Sequence, residues 1–185
     1  MLEREIKLRF DSPDAARAAV LMLGATPLRP RRLQADAVFD TTDRRLSARG
    51  EVLRVRVEEG THSVTFKSPV AHPTMKLREE LETSVGDGRL LVTVFTKLGL
   101  EISFRYEKYR EEFALEGVVI AVDETPVGTF VEIEGSDTGI LSVARALGRG
   151  PADFVLVSYR DLFVQSCAKR GVAAADMVFS RSANR

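Results

Sequence analysis

Glu3-Arg4-Glu5-Ile6-Lys7-Leu8-Arg9-Phe10 changes character at nearly every residue. Successive side chains of an extended chain point to opposite faces. Glu3, Glu5, Lys7 and Arg9 therefore share one face, and Ile6, Leu8 and Phe10 share the other with Arg4. The same parity recurs downstream. Arg54 and Arg56 oppose an apolar stripe in Leu53-Arg54-Val55-Arg56-Val57, and Lys67 opposes Val64 and Phe66. Arg78, Glu80 and Glu82 lie together against Leu77 and Leu81, and Glu132 and Glu134 lie against Val131 and Ile133. Residues 3–10, 51–58, 63–68, 76–85, 106–115, 118–124 and 130–134 are thus expected as strands.

Ser12-Pro13-Asp14 opens a helix with a capping side chain and a proline in its first turn, carries Ala16, Ala19, Val20 and Leu23 on one face, and stops at Gly24. Residues 86–98 read as a second helix with Leu90, Leu91, Val94, Phe95 and Leu98 on its apolar side and Gly99 as its stop. Residues 139–147 and 158–169 are expected to be helical too. Strands of a parallel βαβ fold are apolar on both faces, and these are half polar, which favours an antiparallel sheet. The order strand, helix, several strands starts again near residue 75, as a duplicated βαββ-type unit would. The alanine-rich tail, residues 171–185, carries no readable chemistry and is expected as a loose end.

The chain has 185 residues, 44% hydrophobic and 29% charged, enough for one globular domain with a sizeable core. Nothing in it resembles a membrane span or a secretory signal, so a cytoplasmic location is expected. Lysine plus arginine and aspartate plus glutamate number 27 each, so no global charge draws the chain to nucleic acid or an anionic membrane. Cys167 is the only cysteine, which excludes an internal disulfide and a thiolate metal cluster and leaves it as a small apolar residue on a helix. His62 and His72 fall in expected loops without metal-ligand spacing. Neither a P-loop nor a G-x-S-x-G elbow occurs.

Function must then lie in the arrangement of the charges. A solvated sheet face normally mixes serine, threonine, glutamine and lysine, whereas here glutamates two apart recur on three strands and paired cations on two others. Glutamates so spaced sit about 7 Å apart on one face and raise each other's pKa unless a cation lies between them. All-oxygen ligands select hard ions, so Mg²⁺ or Mn²⁺ is expected. Arginine and lysine on the same faces suit phosphate oxygens. Metal and cations together describe a polyphosphate site.

Read as an ordered set, these stretches resemble the CYTH superfamily, the triphosphate tunnel metalloenzymes, which includes class IV adenylyl cyclases, thiamine triphosphatases and inorganic triphosphatases. Glu3-Arg4-Glu5-Ile6-Lys7 matches the E-x-E-x-K signature, Arg54-Val55-Arg56 resembles the R-x-R strand, Thr65-Phe66-Lys67 the T-x-K strand, and Arg78-Glu79-Glu80-Leu81-Glu82 the R-x-E-x-E strand. Lys108-Tyr109-Arg110 resembles the K-x-R strand, Val122-Asp123-Glu124 the aspartate strand, Gly128 to Glu134 the G-x-F-x-E-x-E strand, and Ser158-Tyr159 the closing serine-tyrosine motif.

The resemblance implies an α+β fold, a closed eight-stranded antiparallel β-barrel or tunnel with flanking helices. The tunnel domain would span residues 1–165 and a C-terminal helix and tail residues 166–185. In family terms Glu3, Glu5 and Glu132 would hold a first metal, while Glu80, Glu82, Asp123 and Glu134 would hold a second or position water. Lys7, Arg54, Arg56, Lys67, Arg78, Lys108 and Arg110 would bind phosphates, and the parity of Arg105 points it outward. The partner implied is a small-molecule triphosphate, and a homodimer is plausible by resemblance. The helix from Ser158 is placed by its position at a tunnel mouth.

Two chemistries fit such a site. In hydrolysis Glu82 or Glu134 aligns water on a phosphoryl group; in cyclisation a ribose 3′-hydroxyl attacks the α-phosphate and pyrophosphate leaves. Bacterial class IV cyclases of the superfamily carry a histidine-phenylalanine pair just before E-x-E-x-K, where this chain has only Met1-Leu2. Triphosphate hydrolysis is therefore the expected activity, with adenylyl cyclase as the alternative. A non-catalytic polyphosphate- or nucleotide-binding module is the third reading, weakened by the filled carboxylate positions.

Overall fold

The computed structural model describes residues 2–71 and 76–180; His72 lies outside them. In chain order the elements are β1 Leu2–Phe10, α1 Pro13–Met22, β2 Thr26–Asp40, α2 Arg45–Ala48, β3 Val52–Glu58, β4 Thr61–Val70 and β5 Lys76–Val85. They continue with α3 Gly88–Lys97, β6 Glu101–Leu115, β7 Val118–Thr125, β8 Gly128–Gly135, α4 Asp137–Ala146, β9 Phe154–Val155 and α5 Tyr159–Lys169. Around the sheet the order is β1-β5-β4-β3-β2-β6-β7-β8, and β8 pairs with β1 again. All these pairings are antiparallel, so eight strands close into a barrel. The two-residue β9 adds to β1 at Lys7 and Leu8, beyond the residues of β1 that pair with β5.

Exchanging β1 with β5, β2 with β6, β3 with β7 and β4 with β8 reproduces the same order of neighbours. Each half is a strand, a helix and three strands, one strand longer than the expected unit. The extra strand is β2, at 15 residues one of the two longest in the barrel. Pro27 and Pro30 and the three arginines at 29, 31 and 32 hid it in the sequence. The ladder to β6 accommodates them with register shifts between Pro27 and Arg29 and between Arg29 and Arg32, since a bulge is where a strand tolerates proline.

The expected helices form, with Ser12, Asp87, Ser136 and Ser158 each accepting a backbone N–H at the N-terminus. The main apolar core lies outside the barrel, where α1 and α4 cover one half of its wall. Ile6, Leu8, Phe113, Ile120, Val131 and Ile133 pack there against Ala16, Val20, Ile140 and Val143. At Gly139 a Cβ would come within 2.7 Å of Val118, so only glycine lets α4 settle on the start of β7.

Helix α3 covers the other half less completely. Phe95 meets Phe39 edge-on at 5.3 Å. Leu90, Val94 and Leu98, expected on the apolar side, remain 60%, 42% and 74% exposed. His62 lies within β4 rather than in a loop, and its ring packs where a side chain on Gly88 would stand.

Beyond residue 165 the chain completes α5, which buries Cys167, and then returns to the barrel. Met177 is fully buried and bridges Tyr106, while its N–H donates to Arg105 and its carbonyl accepts from Glu107. This segment occupies the edge of β6 that β7 leaves unpaired, so the tail through residue 179 is part of the packing and not a loose end. Among the described residues no helix is long and apolar enough to cross a membrane.

Candidate functional site

The barrel's interior, a cavity of about 880 Å³, is lined largely by charged side chains. The three glutamate pairs come from three neighbouring strands: Glu80 and Glu82 on β5, Glu3 and Glu5 on β1, Glu132 and Glu134 on β8. Register sets Glu5 beside Glu134 and Lys7 beside Glu132. The facing arc, β4-β3-β2-β6, carries Lys67, Arg54, Arg56, Arg32, Lys108 and Arg110, all of which line the cavity. A mainly acidic wall thus faces a mainly basic one. Arg105 points out and pairs with Asp176 at 3.5 Å, as its parity requires.

Contacts between the walls are dense. Lys7, 2% exposed, donates to Glu5 at 2.9 Å and lies 3.3 Å from Glu132, and these carboxylates hold its ammonium charged against the cost of burial. Lys67 donates to both Glu3 oxygens at 2.8 and 2.6 Å and lies 3.0 Å from Glu80. Arg54 donates to Thr65 at 2.9 Å and to Glu82 at 3.3 Å, while its buried Nε has no hydrogen bond. Arg56 makes two bonds to Asp36. Arg78 lines the cavity beside Glu3.

Asp123 stands apart from the six glutamates. Fully buried on β7, it accepts from Lys108 at 2.9 Å, from Arg110 at 2.7 and 2.6 Å and from the Tyr159 hydroxyl at 2.8 Å. It is an anchor for cations, with its oxygens committed to them. Burial, with the neighbouring Arg110 charge, brings the Lys108 ammonium down to about 8. The start of α5 reaches the tunnel as its position implied, since Ser158 to Asp161 line it.

Among the described residues no three metal-ligating side chains converge on one point as they stand. The fit to a divalent ion is electrostatic. Loss of solvent, followed by the negative charge of Glu3, Glu5 and Glu80, pushes the Glu134 carboxyl up to about 7, even though its side chain still meets tunnel solvent. The other five glutamates are paired with Lys67, Lys7, Lys76, Arg54 and Arg110, so the all-oxygen set fits a hard cation provided that the ion replaces some of these side-chain cations.

Several lining residues escape the sequence motifs. Arg29, Arg32 and Gln34 line the tunnel from the hidden β2, Asp36 lies buried behind them on the same strand, and Glu58 and Glu112 meet them from β3 and β6. Arg32 donates to Glu58 at 2.8 Å and to Glu112 at 2.5 Å. Lys76, which pairs with Glu5, shares the parity of Arg78, Glu80 and Glu82, so its sequence signal was present. Tyr106 falls in an expected strand without an assigned role; it lies half-buried beside Arg54 and Asp36.

Comparison with known proteins agrees with this architecture. A protein of Methanocaldococcus jannaschii, provisionally named an adenylate cyclase, is 28% identical over 88% of this chain and 98% of its own length. The structure of the PH1012 protein from Pyrococcus horikoshii superposes with a TM-score of 0.73 at 25% identity, covering 86% of this chain and 98% of that one. A Hippeastrum protein first named as an adenylyl cyclase, whose structure is described as revealing a dominant triphosphatase activity, shares the fold with a TM-score of 0.64 at 20% identity, covering 93% and 97%. The CYTH domain model matches residues 1–147, which contain all eight strands of the barrel, and the chain belongs to the CYTH family.

Proposed function

We propose that the protein is a divalent-metal-dependent triphosphatase that takes a small-molecule triphosphate between the two walls of its tunnel. The observation that carries this reading is the uneven distribution of charge around one closed barrel: six glutamates against Lys7, Lys76 and Arg78 on β5-β1-β8, and Lys67, Arg54, Arg56, Arg29, Arg32, Lys108 and Arg110 in excess over Glu58 and Glu112 on β4-β3-β2-β6. A triphosphate carries several negative charges in a row, and a basic arc of guanidinium and ammonium groups complements that row. Arg54, Arg56, Lys67, Lys108 and Arg110 would take the non-bridging oxygens, and Asp36 and Asp123 already hold three of these cations in place. Catalysis here is positioning and electrostatics, with little covalent work for the protein.

Glu3, Glu5 and Glu80 would hold Mg²⁺ or Mn²⁺, with Glu132 behind them on Lys7 and Arg110. When bound, such an ion would withdraw charge from the phosphoryl oxygens. Glu134 makes no hydrogen bond among the described residues and titrates near neutrality, so its carboxylate can align a water and accept its proton. The water oxygen bonds to the terminal phosphorus as the bridging P–O bond breaks, and the electron pair leaves with the shortened phosphate chain. Glu82, held by Thr65 and Arg54, is better placed to orient than to take a proton.

The provisional name of the archaeal relative favours a second reading, cyclisation of ATP with release of pyrophosphate. One assay separates the two. The protein is offered tripolyphosphate, thiamine triphosphate and ATP with Mg²⁺ and, separately, Mn²⁺, and orthophosphate is resolved from pyrophosphate and cyclic AMP. Orthophosphate release is the expected result; cyclic AMP with matching pyrophosphate would replace the triphosphatase reading with the cyclase one.

A further inference from the structure

Gln34 is 2% exposed and lines the tunnel from β2. Its Nε2 donates to Glu58 at 2.7 Å, while its buried Oε1 has no hydrogen-bond partner. The bond to a carboxylate fixes which end of the amide is oxygen, because a carboxylate accepts and cannot donate. Glu58 itself takes Arg32 at 2.8 Å and Arg29 besides, so it has little capacity left at this end of the cavity. A buried carbonyl without a donor is costly, and such groups are rare without a reason.

Position along the tunnel indicates what reaches it. Gln34 pairs in register with Glu58 on one side and Lys108 on the other, and Asp36, which clamps Arg56, is the next inward residue of β2. The orphaned acceptor thus stands across the ladder from Lys108 and one strand repeat, about 7 Å, from Asp36 and the Arg56 it clamps, at the border of the phosphate-binding cations. A fully ionised triphosphate chain presents only acceptors and gives Gln34 nothing to bind. The donors must come from whatever group is esterified to the chain. Arg29, with 43% of its side chain exposed against 11% for Arg32, is the more solvent-exposed of the two cations on Glu58.

We infer that the Gln34 carbonyl accepts an N–H or O–H donor from the non-phosphate end of an organic triphosphate, so that the tunnel selects such an ester over a triphosphate that lacks a donor. This rests on the triphosphate reading above.

The test is calorimetric binding of ATP, thiamine triphosphate and methyl triphosphate to the unsubstituted protein and to Gln34→Met, with Ca²⁺ present to slow turnover. Methyl triphosphate supplies the esterified chain without any donor. At least one donor-bearing ester should bind about tenfold more tightly than methyl triphosphate, and Gln34→Met should remove most of that gap while leaving methyl triphosphate affinity unchanged. Equal affinities in the unsubstituted protein, or a gap that survives Gln34→Met, would overturn the inference and leave the triphosphate site standing. Failure of all three to bind would sink both. Should Gln34→Met not fold, the side-chain amide resonance of Gln34 in the unsubstituted protein decides: it should shift with the tighter ester and not with methyl triphosphate, and identical shifts would refute the contact.

Discussion

Asp36 on β2 holds Arg56 on β3 by two parallel hydrogen bonds, Nε to Oδ1 at 2.8 Å and Nη2 to Oδ2 at 2.9 Å, with the carboxylate side chain wholly buried. Its other cationic neighbour, Arg54, approaches to 3.6 Å. One buried carboxylate therefore fixes the Arg56 guanidinium and lies beside the Arg54 charge, and these cations, with Lys108, keep its pKa low despite burial.

Asp36→Asn keeps the shape and removes the charge, leaving two buried cations short of an anion. Breaking a buried pair in this way costs about 3–5 kcal/mol, so the melting temperature should fall markedly. Tripolyphosphate can then supply the missing negative charge. It should raise the melting temperature of Asp36→Asn by more than it raises that of the unsubstituted protein, and an equal rise in scanning fluorimetry would show that Asp36 does not orient the phosphate clamp.

On the proposed metal-dependent reading, Glu134 sets how metal binding depends on pH. Its carboxyl is raised to about 7 by partial desolvation and the acidic neighbours, so below that pH it is protonated and above it adds to the negative charge around the ion site. A cation among these carboxylates favours the ionised form. The stabilisation given by a fixed Mn²⁺ concentration should therefore grow between about pH 5.5 and pH 8. Glu134→Gln should flatten that dependence. A metal-induced shift in melting temperature that is constant across the range would contradict the assignment.

How much of this was legible beforehand differs between the two walls. Glu3, Glu5, Glu80, Glu82, Glu132 and Glu134 could be placed inward because β1, β5 and β8 alternate cleanly, and the same holds for Arg54, Arg56, Lys67, Lys108 and Arg110. Strand β2 could not be read, since Pro27 and Pro30 are poor strand residues unless a bulge receives them, and a bulge is a property of the partner ladder. With β2 went Gln34 and Asp36, although Gln34-Ala35-Asp36-Ala37-Val38 alternates as well as β1 does. Asp123 shows the opposite limit. Parity puts it inward, but only three-dimensional contact with Lys108, Arg110 and Tyr159 shows its oxygens to be engaged. Met177 was unreadable because one apolar side chain in an alanine-rich tail has no periodicity to announce its burial.

That side chain carries the next expectation. Met177 fills a cluster with Phe104, Phe130 and Tyr159 at the seam where β7 leaves β6. Met177→Ala should cost about 2–5 kcal/mol, the range for emptying a buried methionine site. Tyr159 belongs to the same cluster and donates to Asp123, so triphosphate affinity should weaken as well. Chemical denaturation showing a loss below about 1 kcal/mol would mean that the segment is not a working part of the fold.

Lys108 supplies the alkaline counterpart of the Glu134 argument. Its ammonium is lowered to about 8, first by burial and then by Arg110, with Asp123 opposing the fall. Phosphate binding needs the charged form, so the sign is fixed: affinity holds below pH 8 and declines above it. For one group of pKa about 8 whose neutral form does not bind, the charged fraction drops from about one half at pH 8 to about one tenth at pH 9, a weakening of about fivefold. A triphosphate ester such as methyl triphosphate, with one terminal phosphate, is already fully ionised there and contributes no slope of its own, unlike tripolyphosphate. Lys108→Met, close in length and uncharged, should bind methyl triphosphate more weakly at pH 7.5 and show a flat profile from pH 7.5 to 9. If titration calorimetry finds the same alkaline decline in Lys108→Met, another group is responsible and Lys108 serves mainly to hold Asp123 and Arg110 in place.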